Sequence, residues 1–438
     1  PLLSQVHQRL GGHPKLLEIF SYWAKRLGII TALNGLPESN ANIQQFIITE
    51  VIRTLSLPEQ QLLRAICTYR IPISVEAITA PYVGSEIHDL LQMLINRLLI
   101  NQEENLRYSV HSLVREFCYR ELGITSQLHS NAAQYFLNSI EGNTDTKLVI
   151  LAEAFYHALQ AQNSSLAYEV FLILSDRLDI VGHYEMMIFV CTELAALSGL
   201  SSEQRAHILT NLGLVHRRIS DLETAISYHH QALAMYRELK QDRGEHVNLD
   251  HLASAYRQIG KIRQAIELHH EALSIVNSDK DPDRALYILC NLATAYRQVG
   301  QFRIAVEYHE KGVQLSERHY CDQRVIGRNL QNLGMAYYYL GEISKAEHTI
   351  RTAIIHNEAA EDRRESSDSF QCLGLILWYE DQLELAEEFC EKAIKICREI
   401  GYSRGEANAR GNLGLCYLKR GMLDVSYSYI EDAVSISN

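Results

Sequence analysis

From about residue 201 onward, apolar residues recur with the 3.6-residue period of an amphipathic helix, and the pattern halts and restarts twice in every 40 residues or so. One run, Ile208 to Val215, breaks and resumes as Leu222 to Tyr236. A small residue marks the first run of each period at Gly213, Ala253, Ala293, Gly334, Gly374 and Gly414, with spacings of 40, 40, 41, 40 and 40. Twelve residues after each stands another, at Ala225, Ala265, Ala305, Ala346, Ala386 and Ser426, and seven beyond that Ala232, Ala272, Gly312, Ala353, Ala393 and Ala433. Small side chains recur where helices must approach closely, and Gly260, Gly300, Gly341 and Gly421 stand where the first helix can stop in a left-handed residue. The pattern predicts six helical hairpins, each stacked on the next.

Upstream, residues 147–198 keep a helical pattern, with Leu148–Ala161 and Ser165–Asp176 as a degenerate hairpin. The first 125 residues read differently. An amphipathic helix follows Gly11-Gly12-His13-Pro14-Lys15 and ends near Gly28, and others are predicted over Ile43–Leu55, from Leu57-Pro58-Glu59, over Ser74–Ile78 and over Ile87–Leu98. Leu99-Ile100-Asn101 and Leu106 to Val110, joined by Glu103-Glu104-Asn105, read as a β-hairpin. Helices followed by a β-hairpin wing describe a winged helix. The expected fold is mainly α, a winged-helix domain followed by an α-solenoid.

Composition narrows the function classes. With 53 acidic against 41 basic residues the net charge is −12, which argues against a general nucleic-acid binder. No stretch approaches a bilayer-spanning apolar run and no leader opens the chain, so a soluble, cytoplasmic protein without membrane attachment is expected. The 9 cysteines include no C-x-x-C pair and are expected to be reduced and mostly buried. Because the sequence starts at Pro1 without Met, a piece of a longer protein is expected.

The segments Asn211-Leu-Gly-Leu-Val-His, Asn291-Leu-Ala-Thr-Ala-Tyr, Asn332-Leu-Gly-Met-Ala-Tyr and Asn412-Leu-Gly-Leu-Cys-Tyr resemble tetratricopeptide repeats, with the longer period of the kinesin light chain and Gα-regulator type. His251 and Cys372 depart from the asparagine, and Ser426 from the second-helix alanine. The amino-terminal part resembles the NB-ARC and STAND signal-transducing NTPases. Gly12-His13-Pro14-Lys15 looks like the motif that opens their small helical domain, and Val110-His111-Ser112-Leu113-Val114-Arg115 like the one that closes their winged helix. That resemblance implies Pro14 beside an adenine and His111 on the β-phosphate of ADP, with Ser112 replacing the family's usual Asp. It also implies domains at 1–36 (end of a helical domain), 37–125 (winged helix), 126–200 (helical linker) and 201–438 (six repeats).

Nothing resembles the Gly-x-x-x-x-Gly-Lys-Ser/Thr phosphate loop, and no nucleophile elbow or paired acid and base stands out. This chain is therefore expected not to be an enzyme and to hold no cofactor of its own. The resemblance implies ADP or ATP with magnesium, and self-association on activation, in a full-length protein with an upstream nucleotide-binding domain.

The candidate site is the inner face of the solenoid. Asn211, Asn291, Asn332 and Asn412 resemble the asparagines with which tetratricopeptide proteins hold a peptide backbone, and an amide can donate and accept at once. Four residues after the small one come Arg217, Arg257, Arg297, Tyr338 and Trp378, a basic strip passing into an aromatic one that would favour an acidic protein or peptide ligand with an apolar part. The histidines at 229, 230, 269, 270 and 309 are read as a repeated polar surface position; equivalent side chains about 10 Å apart cannot share one metal ion. Tyr256, Tyr296, Tyr337 and Tyr417 are read as packing residues. Two other readings stay open, a scaffold without nucleotide switching and a winged-helix transcription regulator. For the second, helix 87–98 offers Arg97 as its one base-reaching cation, beside Glu86 and Asp89.

Overall fold

Local signals start and stop the helices of this computed structural model, which describes residues 2–37, 40–79, 86–140 and 144–437. The chain divides into two compact bodies, Pro1–Gln204 and Arg205–Asn438.

In the amino-terminal body, α1 (Leu2–Arg9), α2 (Pro14–Leu27), α3 (Ile29–Asn34) and α4 (Asn40–Ile52) come first. Pro14 opens α2 in its first turn, where the missing N–H costs nothing, and Gly28 closes it at φ 83°. α5 (Leu57–Thr68) begins with a reciprocal cap: the Ser56 backbone N–H and hydroxyl both donate to Glu59 Oε2, at 2.7 and 2.8 Å. α6 (Val75–Thr79) and α7 (Ile87–Asn96) follow, then β1 (Asn101–Gln102) paired antiparallel with β2 (Tyr108–Ser109). Ile73 bridges to Tyr108 and so brings the α5–α6 connection onto the hairpin. Leu62, Leu63, Ile66, Ile78, Leu91 and Leu94 are fully buried between these elements. The strands are shorter than the apolar pattern predicted, because Leu99 and Ile100 are buried core residues ahead of β1. α8 (Ser112–Phe117), α9 (Ser126–Asn138), α10 (Thr144–Gln160), α11 (Ser164–Val181) and α12 (Tyr184–Ala196) complete this body.

The second body holds six hairpins. Their first helices are α13 (Ser202–Arg218), α15 (Asp242–Gln258), α17 (Pro282–Gln298), α19 (Gln323–Tyr339), α21 (Arg363–Tyr379) and α23 (Ser403–Lys419). Their second helices are α14 (Leu222–Leu239), α16 (Ile262–Ile275), α18 (Phe302–Arg318), α20 (Ile343–Ala359), α22 (Leu383–Ile400) and α24 (Leu423–Ser437). We call these hairpins repeats one to six.

One packing rule recurs in the four repeats whose small residue is glycine. The residue 16 positions after each small residue lies over it: a Cβ added at Gly213, Gly334, Gly374 or Gly414 would come within 2.6–2.8 Å of His229, Ile350, Cys390 or Ile430. The small residue is thus demanded by a side chain crossing from the second helix. The intrahairpin turns repeat as well, with Gly260, Gly300, Gly341 and Gly421 at φ 75–83°. Repeats one and five lack that glycine and put Ser220 and Asp381 in the same left-handed conformation, each at φ 66°. Consecutive first helices from α15 to α23 touch directly, whereas consecutive second helices make no comparable contact among the described residues. The stack therefore curls with its first helices inside.

Candidate functional site

The inner face of the second body forms a trough of about 1070 Å³, and Arg257, Arg297, Asn332 and Asn412 line it together with Asp368, Gln371, Tyr402 and Arg404. Four of the residues picked from the repeat pattern thus meet in one cavity. Its far end is apolar, with Leu375, Leu415, Ile430 and Val434.

The three register-matched arginines share one environment. Arg217, Arg257 and Arg297 are half-buried, each with its Nε wholly covered and without a hydrogen-bond partner. No carboxylate among the described residues comes within ion-pair distance of any of them. Burial pushes the guanidinium pKa of Arg217 and of Arg257 down, and the neighbouring arginine lowers it further in both. Buried cations normally have partners. Asp250, whose charge is felt by Arg217 and Arg257, is fully buried and committed elsewhere: it lies 2.9 Å from His269 Nδ1 and accepts from Asn291 Nδ2 at 3.1 Å. By contrast Arg328, in the same stack, pairs with Glu365 at 2.8 Å.

The asparagines are half engaged. The amide N–H groups of Asn211 and Asn332 donate to the carbonyls of His207 and Arg328, both at 3.0 Å, Asn291 donates to Asp250, and Asn412 reaches the Gln371 carbonyl at 3.3 Å. Asn291 and Asn412 thereby tie neighbouring first helices together. Their carboxamide oxygens have no donor among the described residues, which leaves each able to accept one N–H.

Three readings need correction. Tyr338 and Trp378 do not continue the strip into the trough: the Trp378 indole N–H donates to the Leu415 carbonyl at 3.1 Å and Lys419 lies over its ring, while Tyr338 packs edge-on against Tyr339 and Tyr379. A planar ring at this register finds the next first helix before it finds solvent. His229, His269 and His309 are not surface residues but are fully buried. Their Nδ1 atoms face Asn248 Oδ1 at 3.1 Å, Asp250 Oδ1 at 2.9 Å and Asn329 Oδ1 at 2.7 Å, so each imidazole has one polar neighbour, while their Nε2 atoms are buried without a hydrogen-bond partner. The second histidines, His230 and His270, instead meet the Tyr256 and Tyr296 hydroxyls at 3.3 and 2.8 Å. Finally, Arg97 is not free to reach a base, since it pairs with Glu59 at 2.9 Å and donates to the Thr54 carbonyl at 3.0 Å. No group of three His, Cys, Asp or Glu among the described residues is placed to hold a metal ion, and no described helix is long and apolar enough to cross a membrane.

Sequence comparison fits this geometry. Models of the tetratricopeptide repeat match residues 205–239, 245–318 and 366–438. The second body is built of tetratricopeptide repeats. Repeat four, between the matched stretches, keeps the same small-residue register and hairpin packing. No curated protein matches the chain. Among solved structures, a STAND protein with a tetratricopeptide repeat sensor from Pyrococcus horikoshii is 16% identical over 99% of this chain and 68% of its own, with a TM-score of 0.48. Aspartyl phosphate phosphatase F from Bacillus subtilis is 13% identical over 97% and 94%, at 0.49. A Rap protein complexed with competence and sporulation factor is 15% identical over 71% and 92%, at 0.45. All three likenesses are remote, and function is argued below from the residues of this chain.

In the amino-terminal body, two distant motifs meet. The His13 and His111 rings lie edge to face at 5.5 Å, although 98 residues separate them. Lys15, buried, bridges Glu18 at 3.0 Å and Asn101 at 3.2 Å, and so ties α2 to β1. His111 caps α8, its Nδ1 accepting from Leu113 N at 3.3 Å, which leaves Nε2 to carry the proton. Burial lowers the His111 pKa, and His13 and Lys15 lower it further. Pro14 is exposed beside this pair, and His13 Nδ1 is buried without a partner.

Proposed function

We propose that this chain is the sensor and regulatory part of a STAND-type signalling ATPase, whose tetratricopeptide trough takes a protein or peptide trigger. The observation that carries the reading is the convergence of Arg257, Arg297, Asn332 and Asn412 on one trough, with unpaired cations and open amide acceptors. A protein evolved merely to be stable has no reason to leave buried guanidinium atoms without partners, whereas a ligand carboxylate would satisfy them. The asparagine oxygens would take backbone N–H groups of an extended segment.

The regulatory half of the proposal rests on the amino-terminal body. Three helices and a two-stranded hairpin in the order α5, α6, α7, β1, β2 support a winged-helix reading. The meeting of His13, Pro14 and His111 fits one wall of a nucleotide site: the exposed Pro14 ring beside an adenine, and the His111 Nε2–H donating to a phosphate. An upstream nucleotide-binding domain would supply the remainder, including the phosphate loop and magnesium. Trigger binding would favour the open state and release ADP, in proportion to its preference for that state.

Peptides selected from a random display pool on this chain should lose capture when Asn332 and Asn412 are changed to Ala, or Arg257 and Arg297 to Glu, with helicity and melting unchanged. Undiminished capture by these variants rejects the trough as the site. ADP-sensitive and ATP-sensitive oligomerisation of the full-length protein separates the switch from a plain scaffold, which would respond to neither.

A further inference from the structure

The trough reading can be sharpened into a rule about its ligand, on which the following depends. Arg217, Arg257 and Arg297 occupy the same position on α13, α15 and α17, each four residues after the small residue of its helix. Consecutive members of the series are close enough to disfavour one another's charge. Packed helices lie about 8–10 Å apart, so Arg257 and Arg297, on the touching helices α15 and α17, stand at about that interval. A polyproline II chain rises about 3.1 Å per residue with three residues per turn, returning a side chain to the same face every ~9 Å. It also leaves its backbone N–H and C=O groups unpaired, available to amides such as those of Asn332 and Asn412. An α-helical ligand would need about seven residues for the same advance and would hide its backbone from those amides.

We infer that the trough selects an extended, polyproline-like peptide bearing carboxylates three residues apart, one for each of Arg257 and Arg297. Asp368 lines the trough with the arginines, and Asp250 and Glu365 belong to the same stack of helices. Asp250 is sealed in by His269 and Asn291, and Glu365 is neutralised by Arg328, so neither supplies the missing partners. Asp368 lies on α21, which also supplies the apolar Leu375, whereas the arginines come from α15 and α17, and the ligand's acids are accordingly assigned to the helices that carry the arginines.

The test uses the whole chain and two fluorescent probe peptides of identical composition, both built on alanine and proline. One carries two glutamates three residues apart, the other the same two side by side. Fluorescence anisotropy at low salt should favour the spaced peptide by about tenfold, the effect of one charge-assisted hydrogen bond. Arg257→Gln should erase the preference while circular dichroism and melting stay unchanged. Equal affinity for the two peptides, or a preference that survives Arg257→Gln, overturns the spacing rule. If neither probe binds while the display pool yields peptides dependent on Asn332 and Asn412, the spacing rule fails and the trough reading stands. If no trough-dependent peptide exists at all, both fail together.

Discussion

Repeats one to three and repeats four to six share a backbone and differ in what fills it. At the position that crosses onto the small residue, the first three carry His229, His269 and His309, and the last three Ile350, Cys390 and Ile430. At the position four residues after the small one, the first three carry Arg217, Arg257 and Arg297, and the last three Tyr338, Trp378 and Leu418. The interior follows suit: an extended apolar core runs from Ala305 to Cys416 through Ile350, Leu373 and Cys390, while the earlier hairpins hold smaller clusters around Leu249 and Tyr236. The tetratricopeptide hairpin therefore tolerates a polar interior in which each buried imidazole faces one polar side chain through Nδ1, even though its Nε2 has no hydrogen-bond partner. Its front half gives up apolar packing for hydrogen-bonded pairs that fix register, and it is there that cations are left for a ligand.

Breaking a polar pair should be the most damaging change. Burial alone would push the Asp250 carboxyl pKa up, yet the His269 contact and the Asn291 hydrogen bond hold it well below the carboxylate range. Asp250→Ala leaves His269 and Asn291 without their acceptor and should cost about 3–5 kcal/mol, as for other broken buried ionic contacts. Cys390→Ala, at the position in the apolar half that corresponds to His269, removes one sulfur from a packed core and should cost about 1–2 kcal/mol. Urea denaturation of both variants measures the difference, and equal losses would mean that the two halves are not held by different means.

Acid should separate the halves next. Burial pushes the pKa of His229 and of His309 down to about 4 from the usual 6.5, so both stay neutral in the folded chain while the unfolded chain takes up protons. Stability from this source is complete above the unfolded value and is lost as pH falls from 6.5 toward about 4. Between about pH 7 and about pH 5 the loss should be on the order of 1–2 kcal/mol per histidine. A global melt would mix in His129 and His157 of the amino-terminal body, which burial pushes to about 4 and about 3. Hydrogen exchange resolved by segment is the sharper measurement: α13–α18 should lose protection before α19–α24.

The fold was more legible in the sequence than the site, for a physical reason. A small residue repeated six times at one spacing averages out local noise, and each of the four glycines answers to the same steric demand from the crossing side chain. Ser220 and Asp381 were not legible as turn residues, because nothing in a serine or an aspartate announces a left-handed backbone. The burial of His229, His269 and His309 was hidden because its compensation lies elsewhere in the chain, at Asn248, Asp250 and Asn329. Tyr338 and Trp378 shared the arginines' register but not their surroundings, since an aromatic ring packs where a guanidinium must stay near water.

Glycine tests the same point at lower cost. A Cβ at Gly374 would meet Cys390 Sγ at 2.7 Å and the Ala386 carbonyl at 3.3 Å, so Gly374→Ala should destabilise by about 1–3 kcal/mol through overpacking. Gly411, which lines the trough, has nothing within 4 Å of that position and sits inside α23. Gly411→Ala should stabilise by about 0.5–1 kcal/mol, the ordinary helix preference for alanine. Opposite signs for one substitution on neighbouring helices would confirm that the small-residue register, and not glycine content, builds the hairpins.

The smallest expected effect concerns Asp368, the acid that shares the trough with Arg257 and Arg297. Burial pushes its pKa up to about 6, Glu365 adds to the rise, and Arg364, Gln371 and Tyr402 oppose it. Its folded-state contribution is therefore complete below the ordinary carboxylate range and is lost as pH rises through about 6. Among the other groups facing it, the Cys372 thiol is pushed up to about 12 and burial raises the Tyr402 hydroxyl, so both stay neutral across this window, while Glu365 is paired with Arg328. Raising the pH from about 5 to about 7 thus adds one negative charge to a trough proposed to take an acidic ligand. At a separation of about 10 Å in a largely aqueous groove this should weaken binding by about two- to fourfold. Asp368→Asn should hold the low-pH affinity across the range, and added salt should shrink the wild-type pH effect, because exposed charges are screened over about a Debye length. A wild-type pH effect that persists in the Asn variant would mean that a group other than Asp368 titrates against the ligand.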